Sequence, residues 1–386
     1  MNQNAIKVFF AILRSAIDDN RLNDDELQGY SYDLLPSFLK LSAKHDVANL
    51  LSLGLQKNAL IGNENNDIEM HILKAIYRYE KLRYEYEKIC EVLEKARVPF
   101  LPLKGAVIRK YYPKEWMRTS CDIDILVHEK DSERAKSVLI EKCGYTYHEK
   151  GSHDISFFTS TNVHVELHYD LVEDGRANNA SKVLNDIWNK VSKHKGQEYW
   201  YEMPDEIYYF YHIAHMAKHF EDGGCGIRPF IDLWILDNIK ETDNEKRNQL
   251  LNQGQLLKFA EAARKLSRIW FENEEYDFTS QQMEKYILRG GVYGNIENRI
   301  KVHQQKKGGR IKYALSKIFI PYEVIKFQYP ILQKCKWLTP FMEIRRWFKL
   351  IFGGHARRTL NELKYNQTLS ADKVDATKKL LENIGL

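Results

Sequence analysis

The chain has 386 residues, 44 % of them hydrophobic and 12 % aromatic, which is enough to bury a sizeable core and excludes a disordered protein. Five cysteines (90, 121, 143, 225, 335), odd in number and widely spaced, exclude a disulfide scaffold and a paired CxxC zinc site. The net charge of +5 hides an asymmetry: residues 301–360 hold 14 Lys/Arg against two acids, Glu323 and Glu343, for +12, and the rest of the chain carries −7 (44 basic against 51 acidic residues).

The N-terminal apolar run is broken by Lys7 and Arg14 and reads as an amphipathic helix over 5–18 rather than a signal peptide. No stretch approaches about 18 uninterrupted apolar residues, so a soluble, cytoplasmic protein without a transmembrane segment is expected. Residues 31–57 and 69–97 read as further helices, the latter stopping before Pro99. The texture then changes. VPFLPL (98–103) is short and apolar, Lys104-Gly105 interrupts it, and helical spacing resumes over 106–112. DIDILV (122–127) alternates charged and apolar residues as a half-buried strand does. A helix over 131–143 closes on Gly144, and 145–149, 155–160 and HVELHYDL (164–171) read as strands. From Pro204 onward the pattern is helical: 207–220, 227–239, 255–271 and 370–384, with a glycine-rich turn at 223–226 and a loop at RGGVYG (289–294). No internal repeat is present. The order predicts an α+β protein with an α/β core: a small mixed sheet of four or five strands between helical regions. The expected segments are an N-terminal helical region (1–97), the sheet-bearing core (98–203), a helical lobe (204–300) and a basic helical segment (301–386).

Asp122 and Asp124 carry most of the information. Residues i and i+2 of a strand share a face, so the two carboxylates project together while Ile123, Ile125 and Val127 face the core. Like charges this close raise each other's pKa unless cations neutralise them, and Mg²⁺ with its oxygen ligands suits such a pair. Glu166, in the alternating HVELH segment, offers a third acid on a neighbouring strand. Gly105, between a strand and a helix, lets backbone amides approach phosphate oxygens. An acid-x-acid triplet alone means little: Asp67-Ile-Glu69 is another, but it opens a helix and lacks the glycine unit before it.

Glycine turn, helix, paired acids on a strand and a third acid on a later strand resemble the DNA polymerase β-type nucleotidyltransferase superfamily. More narrowly, LPLKGAVIRKYYP (101–113), RTSCDIDILV (118–127) and VELHYDL (165–171) resemble an uncharacterised bacterial nucleotidyltransferase family, and HIAHMAKH (212–219), RPFIDL (228–233) and RGGVYG (289–294) resemble its helical region. The resemblance implies a nucleotide-binding transferase in which Asp122, Asp124 and Glu166 are catalytic and hold two Mg²⁺ ions, with Mn²⁺ as an alternative. It implies transfer of a nucleoside monophosphate from an NTP, ATP among them, to a hydroxyl acceptor, with pyrophosphate leaving. Lys104, Gly105 and Arg118 are the implied phosphate-binding residues, Lys104 standing where the superfamily usually has glycine. Arg118 is equally readable as a structural ion pair.

Other features admit two readings each. His212, His215 and His219 share a helix face and either line the acceptor side of a cleft or satisfy buried hydrogen bonds; without HExxH or a suitably spaced cysteine no zinc site is expected. Arg228 and Asp232 are spaced for an i,i+4 pair or for contact with nucleotide or acceptor, and His168 for substrate contact or for supporting the acids. Tyr208–Tyr211 read as core or as a base-stacking surface. In PFMEIRRWFKLIF (340–352), Phe341, Ile344, Phe348 and Ile351 form one stripe, fitting a helix packed on the acidic body, docked on nucleic acid or an acidic partner, or lying on an anionic membrane. A catalytically silent nucleotide-binding or interaction module is the alternative to an enzyme, as is an RNA- or membrane-associating protein working through 301–360.

Overall fold

The computed structural model describes residues 1–18, 20–62, 66–171, 177–239, 242–352 and 356–386. Helix α1 (Gln3–Ile17) starts on Asn2, whose side chain accepts the Ala5 amide, and buries Phe9, Phe10, Ile12 and Leu13. The stretch 31–57, read as one helix, is two: α2 (Leu35–Lys44) and α3 (Ala48–Lys57). Asp46 adopts φ +56° between them, a left-handed conformation that Asp tolerates better than most residues. Helix α4 (Asn66–Lys95) buries Ile68, Ala75, Leu82 and Ile89 at every seventh position, a narrow stripe that leaves Tyr77 and Tyr84 exposed.

The sheet comes next. Strand β1 (Phe100–Pro102) leads through the one-turn helix α5 (Gly105–Ile108) to β2 (Asp122–Val127). Helix α6 (Ser132–Cys143) ends on Gly144 at φ +72°, as its sequence predicts, and β3 (Thr146–Lys150), β4 (Asp154–Phe158) and β5 (His164–His168) follow. The five strands run in the order β1-β2-β5-β4-β3, with β2 and β5 parallel and the other neighbours antiparallel. One face packs on α4 and α6: Ile123, Ile125, Val127, Val165 and Leu167 join Leu82, Ile89, Leu93 and Leu139 in a closed apolar cluster. Period-two alternation therefore sends Asp122, Asp124 and Glu166 to the other face.

After short α7 (Ala180–Leu184) and the paired β6 (Ser192–Lys193) and β7 (Tyr201–Glu202), the chain is helical: α8 (Asp205–Glu221), α9 (Arg228–Asp237), α10 (Asn244–Gln253), α11 (Leu257–Glu272), α12 (Phe278–Leu288) and α13 (Ile296–Lys306). Helix α10 escapes sequence reading because NEKRNQLLNQ has only two apolar residues. Helices α14 (Arg310–Ile318), α15 (Tyr322–Gln328), α16 (Ile331–Lys334), α17 (Thr339–Phe352) and α18 (Ala356–Thr368) precede the terminal α19 (Ala371–Ile384). The larger core joins both ends of the chain: Phe9, Phe10 and Phe38 meet Phe220, Phe230, Phe259 and Trp270, and Leu380, Leu381 and Ile384 of α19 enter the same cluster. Phe10 stacks on Trp270 at 4.2 Å between ring centres. The architecture is α+β, a mixed sheet flanked by N-terminal and C-terminal helical regions.

Candidate active site

Pairing of β2 with β5 creates the site. Asp122 stands opposite His164 and Asp124 opposite Glu166, so three carboxylates and two imidazoles meet on adjacent strands. Asp124 is 3 % exposed and has two donors in contact: Lys104 Nζ lies 2.6 Å from its Oδ1, and His168 Nε2 donates to the same oxygen at 2.8 Å. The same two side chains also approach Glu166 Oε2, Lys104 at 3.9 Å and His168 at 3.2 Å. Burial opposes the Asp124 charge, but Lys104 and His168 overcome it and hold the carboxyl well below the usual carboxylate range. Asp122 goes the other way, raised by burial and then by the neighbouring Asp124. Two carboxyl groups two residues apart thus differ in proton affinity because only one of them has Lys104 and His168 in contact.

Lys104 reaches Asp124 from a costly backbone conformation, φ +45° and ψ −118°, normally left to glycine. The turn is fastened by Tyr208 Oη donating to the Lys104 carbonyl at 2.9 Å and by the Leu103 amide donating to Asp124 O at 3.0 Å. Gly105 is required by its neighbours. A Cβ there would meet Arg118 Nη1 at 2.8 Å and Ser120 Cβ at 3.2 Å.

Arg118 makes a two-pronged ion pair with the fully buried Asp232, at 3.3 and 2.9 Å, and Tyr112 Oη donates to the same carboxylate at 2.7 Å. The i,i+4 pairing expected between Arg228 and Asp232 gives way to longer-range partners. Asp232 is taken by Arg118 and Tyr112, while Arg228 Nη1 donates to Asp46 at 2.8 Å. Asp46 also accepts from Arg78 at 2.8 Å, so the break between α2 and α3 ties α4 to α9. His212 Nε2 donates to the Pro229 carbonyl, and His215 and His219 are hydrogen-bonded to each other at 3.0 Å. Burial keeps both members of that pair neutral: the His219 imidazole is pushed down to about 4 and His215 lies well below its ordinary value.

A cavity of about 410 Å³ opens over these groups. Lys104, Gly105, Arg118, Asp122, Asp124, Glu166, His168, His215, His219, Arg228 and Asp232 all line it, although they come from five separate stretches of sequence. All four aromatics Tyr208, Tyr209, Phe210 and Tyr211 are buried in the core, and Tyr208 and Tyr211 also line the cavity. Sequence reasoning missed His164, His153, Asp154, Asp46 and Tyr293. His164 was readable, since it shares the period-two face of Glu166. Asp46 carried no local signal. Tyr293 belongs to RGGVYG, whose Gly294 (φ +67°) passes so close to the turn at 223–226 that a Cβ would sit 2.3 Å from Gly223 O.

Two overlapping sets, Asp122–His164–Glu166 and Asp124–Glu166–His168, each keep one ligand atom per residue within 4.8 Å of the others, and Glu166 belongs to both. A third set, His153–Asp154–His168, adjoins them. Three carboxylates on a polar cavity wall are a donor set that suits a divalent cation with oxygen preference. No curated protein and no solved structure matches the chain. With acids, glycine turn and cavity assembled in this way, the family match falls on the part of the chain that builds them: the chain belongs to the uncharacterised nucleotidyltransferase family, whose model matches residues 35–272.

Proposed function

We propose that the protein transfers a nucleoside monophosphate from an NTP to a hydroxyl acceptor, releasing pyrophosphate, in the cavity over β2 and β5. The observation that carries this reading is the register: Asp124 directly opposite Glu166, with Asp122 on the same face, at the floor of one cavity. Asp122, Asp124 and Glu166 would hold two Mg²⁺ ions, with Mn²⁺ tolerated because imidazoles stand beside them. Bound there, the metal supplies Lewis-acid stabilisation of phosphoryl charge and acidifies a hydroxyl. Lys104 adds a point charge for phosphate oxygens from the same wall. His168, hydrogen-bonded to Asp124 and close to Glu166, keeps both carboxylates oriented. Arg118, engaged by Asp232, packs beside Gly105 and lends positive potential to the cavity. Arg228 contributes positive charge from α9, and the neutral His215–His219 pair lines the wall assigned here to the acceptor.

Isothermal titration of Mg-ATP and Mg-GTP, with pyrophosphate release in the presence of cell extract, tests the reading. Binding and release are expected for the wild type and lost in Asp122→Asn/Asp124→Asn with the melting curve retained. Equal nucleotide binding by the double variant would defeat the metal assignment. Binding without pyrophosphate release under any acceptor condition would instead favour a silent nucleotide-binding module, for which the existing neutralisation of Asp124 by Lys104 and His168 is the supporting observation.

A further inference from the structure

The basic segment carries an amphipathic helix turned inside out. On α17, Phe341, Ile344, Phe348 and Ile351 are 56–59 % exposed and Phe352 is 82 % exposed, whereas the charged pair Glu343–Arg346 is buried on the inward side. Arg346 also donates to the Ile318 carbonyl and Glu343 accepts the Ile320 amide, so the inward polar groups are satisfied. Helix α14 and the residue after it repeat the pattern: Ile311, Leu315 and Phe319, four residues apart, are exposed while Tyr313 is buried. Trp337 stands 70 % exposed just before α17. A surface helix ordinarily buries its apolar stripe and shows its charges, and a large exposed apolar patch marks an interaction site.

Charge selects the partner. Lys312, Lys334, Lys336, Arg345 and Lys349 are exposed among these apolar residues. The two acids of the segment are already engaged, Glu323 by Lys326 and Glu343 by Arg346. A nucleic acid would use the cations and stack on the aromatics, but it offers nothing to Ile311, Leu315, Ile344 and Ile351. A second copy would set two surfaces of the same sign against each other. An anionic lipid surface takes both features at once, aliphatic and aromatic side chains at the acyl boundary and cations among the phosphates.

We propose that the exposed faces of α14 and α17 dock on an anionic phospholipid bilayer, the helices lying in the interface. No described helix is long and apolar enough to cross a membrane, in keeping with surface attachment. The −7 remainder of the chain is repelled by the same lipid, which turns the basic side toward it.

Flotation of the full-length protein with vesicles tests this. Vesicles of equal parts phosphatidylcholine and phosphatidylglycerol are expected to carry the protein, and pure phosphatidylcholine vesicles to leave it behind. Phe341→Ser/Phe348→Ser should abolish flotation without altering the melting curve, because both rings are exposed. Arg345→Gln/Lys349→Gln should weaken partitioning about 25-fold, at about fivefold per cation. Wild-type protein that fails to float, or that floats equally on both vesicle types or in both variants, overturns the proposal. Binding of a single-stranded RNA that the same variants lose, with no flotation, overturns it in favour of nucleic acid. A dimer in light scattering that the serine variant dissolves, again with no flotation, assigns the face to a second copy and overturns it as well.

Discussion

Asp124 and Asp122 illustrate how contact decides chemistry at the scale of single residues. The same residue type on the same strand face is held ionised in one case and pushed by burial toward its neutral form in the other, because Lys104 and His168 contact Asp124 and not Asp122. Asp124→Asn is expected to lower turnover on the order of 10²–10³-fold, read as pyrophosphate release once an acceptor is in hand. Lys104 combines a charge with a backbone conformation suited to glycine, so its two roles are separable. Lys104→Gly should be about 1 kcal/mol more stable than Lys104→Ala, measured by denaturant unfolding, while both lose nucleotide affinity. His45, fully buried beside the α2–α3 break, has its imidazole lowered from 6.5 to about 4, first by burial and then by Lys44. The unfolded chain therefore takes up that proton first. Its contribution to stability is complete above pH 6.5, declines as the pH falls from 6.5 to 4 and is level below that, an effect of about 3 kcal/mol. Unfolding of wild type and His45→Gln across this range should show a shallower acid decline in the variant.

Among the elements, two loops of the helical lobe that border the cavity are fastened to each other. The turn at 223–226 and the RGGVYG loop meet backbone to backbone, and Gly294 has no room for a side chain. Gly294→Ala combines that clash with a left-handed φ of +67° and is expected to destabilise the protein by about 2 kcal/mol or more. It should also reduce nucleotide binding, since Val292 and Tyr293 line the cavity; a melting curve and a titration on the same sample check both. The pair Arg118–Asp232 joins the loop before β2 to α9 in a buried setting. Asp232→Ala leaves a buried guanidinium without its acid, at a cost of about 3–5 kcal/mol, whereas Arg118→Met/Asp232→Leu should cost markedly less because no charge is stranded.

For the molecule as a whole, the two chain ends are mechanically one unit. Helix α19 follows the +12 stretch 301–360 in sequence yet buries Leu380, Leu381 and Ile384 against the core that α1 and α11 also fill. Removing residues 371–386 gives up roughly 5–9 kcal/mol at about 1.5–3 kcal/mol per buried aliphatic side chain, comparable to the net stability of a typical domain. The truncated protein should lose cooperative thermal unfolding, and a cooperative transition near the wild-type temperature would show that α19 is dispensable. Helices α14 and α17 of the basic segment, by contrast, keep apolar residues exposed, although Tyr313 of α14 joins Ile300 and Leu369 in a small buried cluster.

Local patterns were enough to read DIDILV and HVELH as strands with their acids on one face, the glycine stop of α6 and the stripe of α17, because strand and helix periodicities place side chains without reference to the rest of the chain. The mixed sheet between helical regions followed from element order for the same reason. Tertiary structure decided which charges meet. Arg228 and Asp232 sit four apart, yet Asp46 and Arg118 are their partners, and Lys104 lies on Asp124 only because β1 pairs with β2 and the turn folds back. It also decided that the α17 stripe faces outward, a matter of what packs beneath the helix and not of its own sequence. Periodicity is a property of one segment, whereas ion pairs and burial belong to pairs of segments far apart in the chain. That is why the acids of the site, and Lys104 and His168 as members of it, were readable in the sequence, whereas the contact of Lys104 and His168 with Asp124 was not.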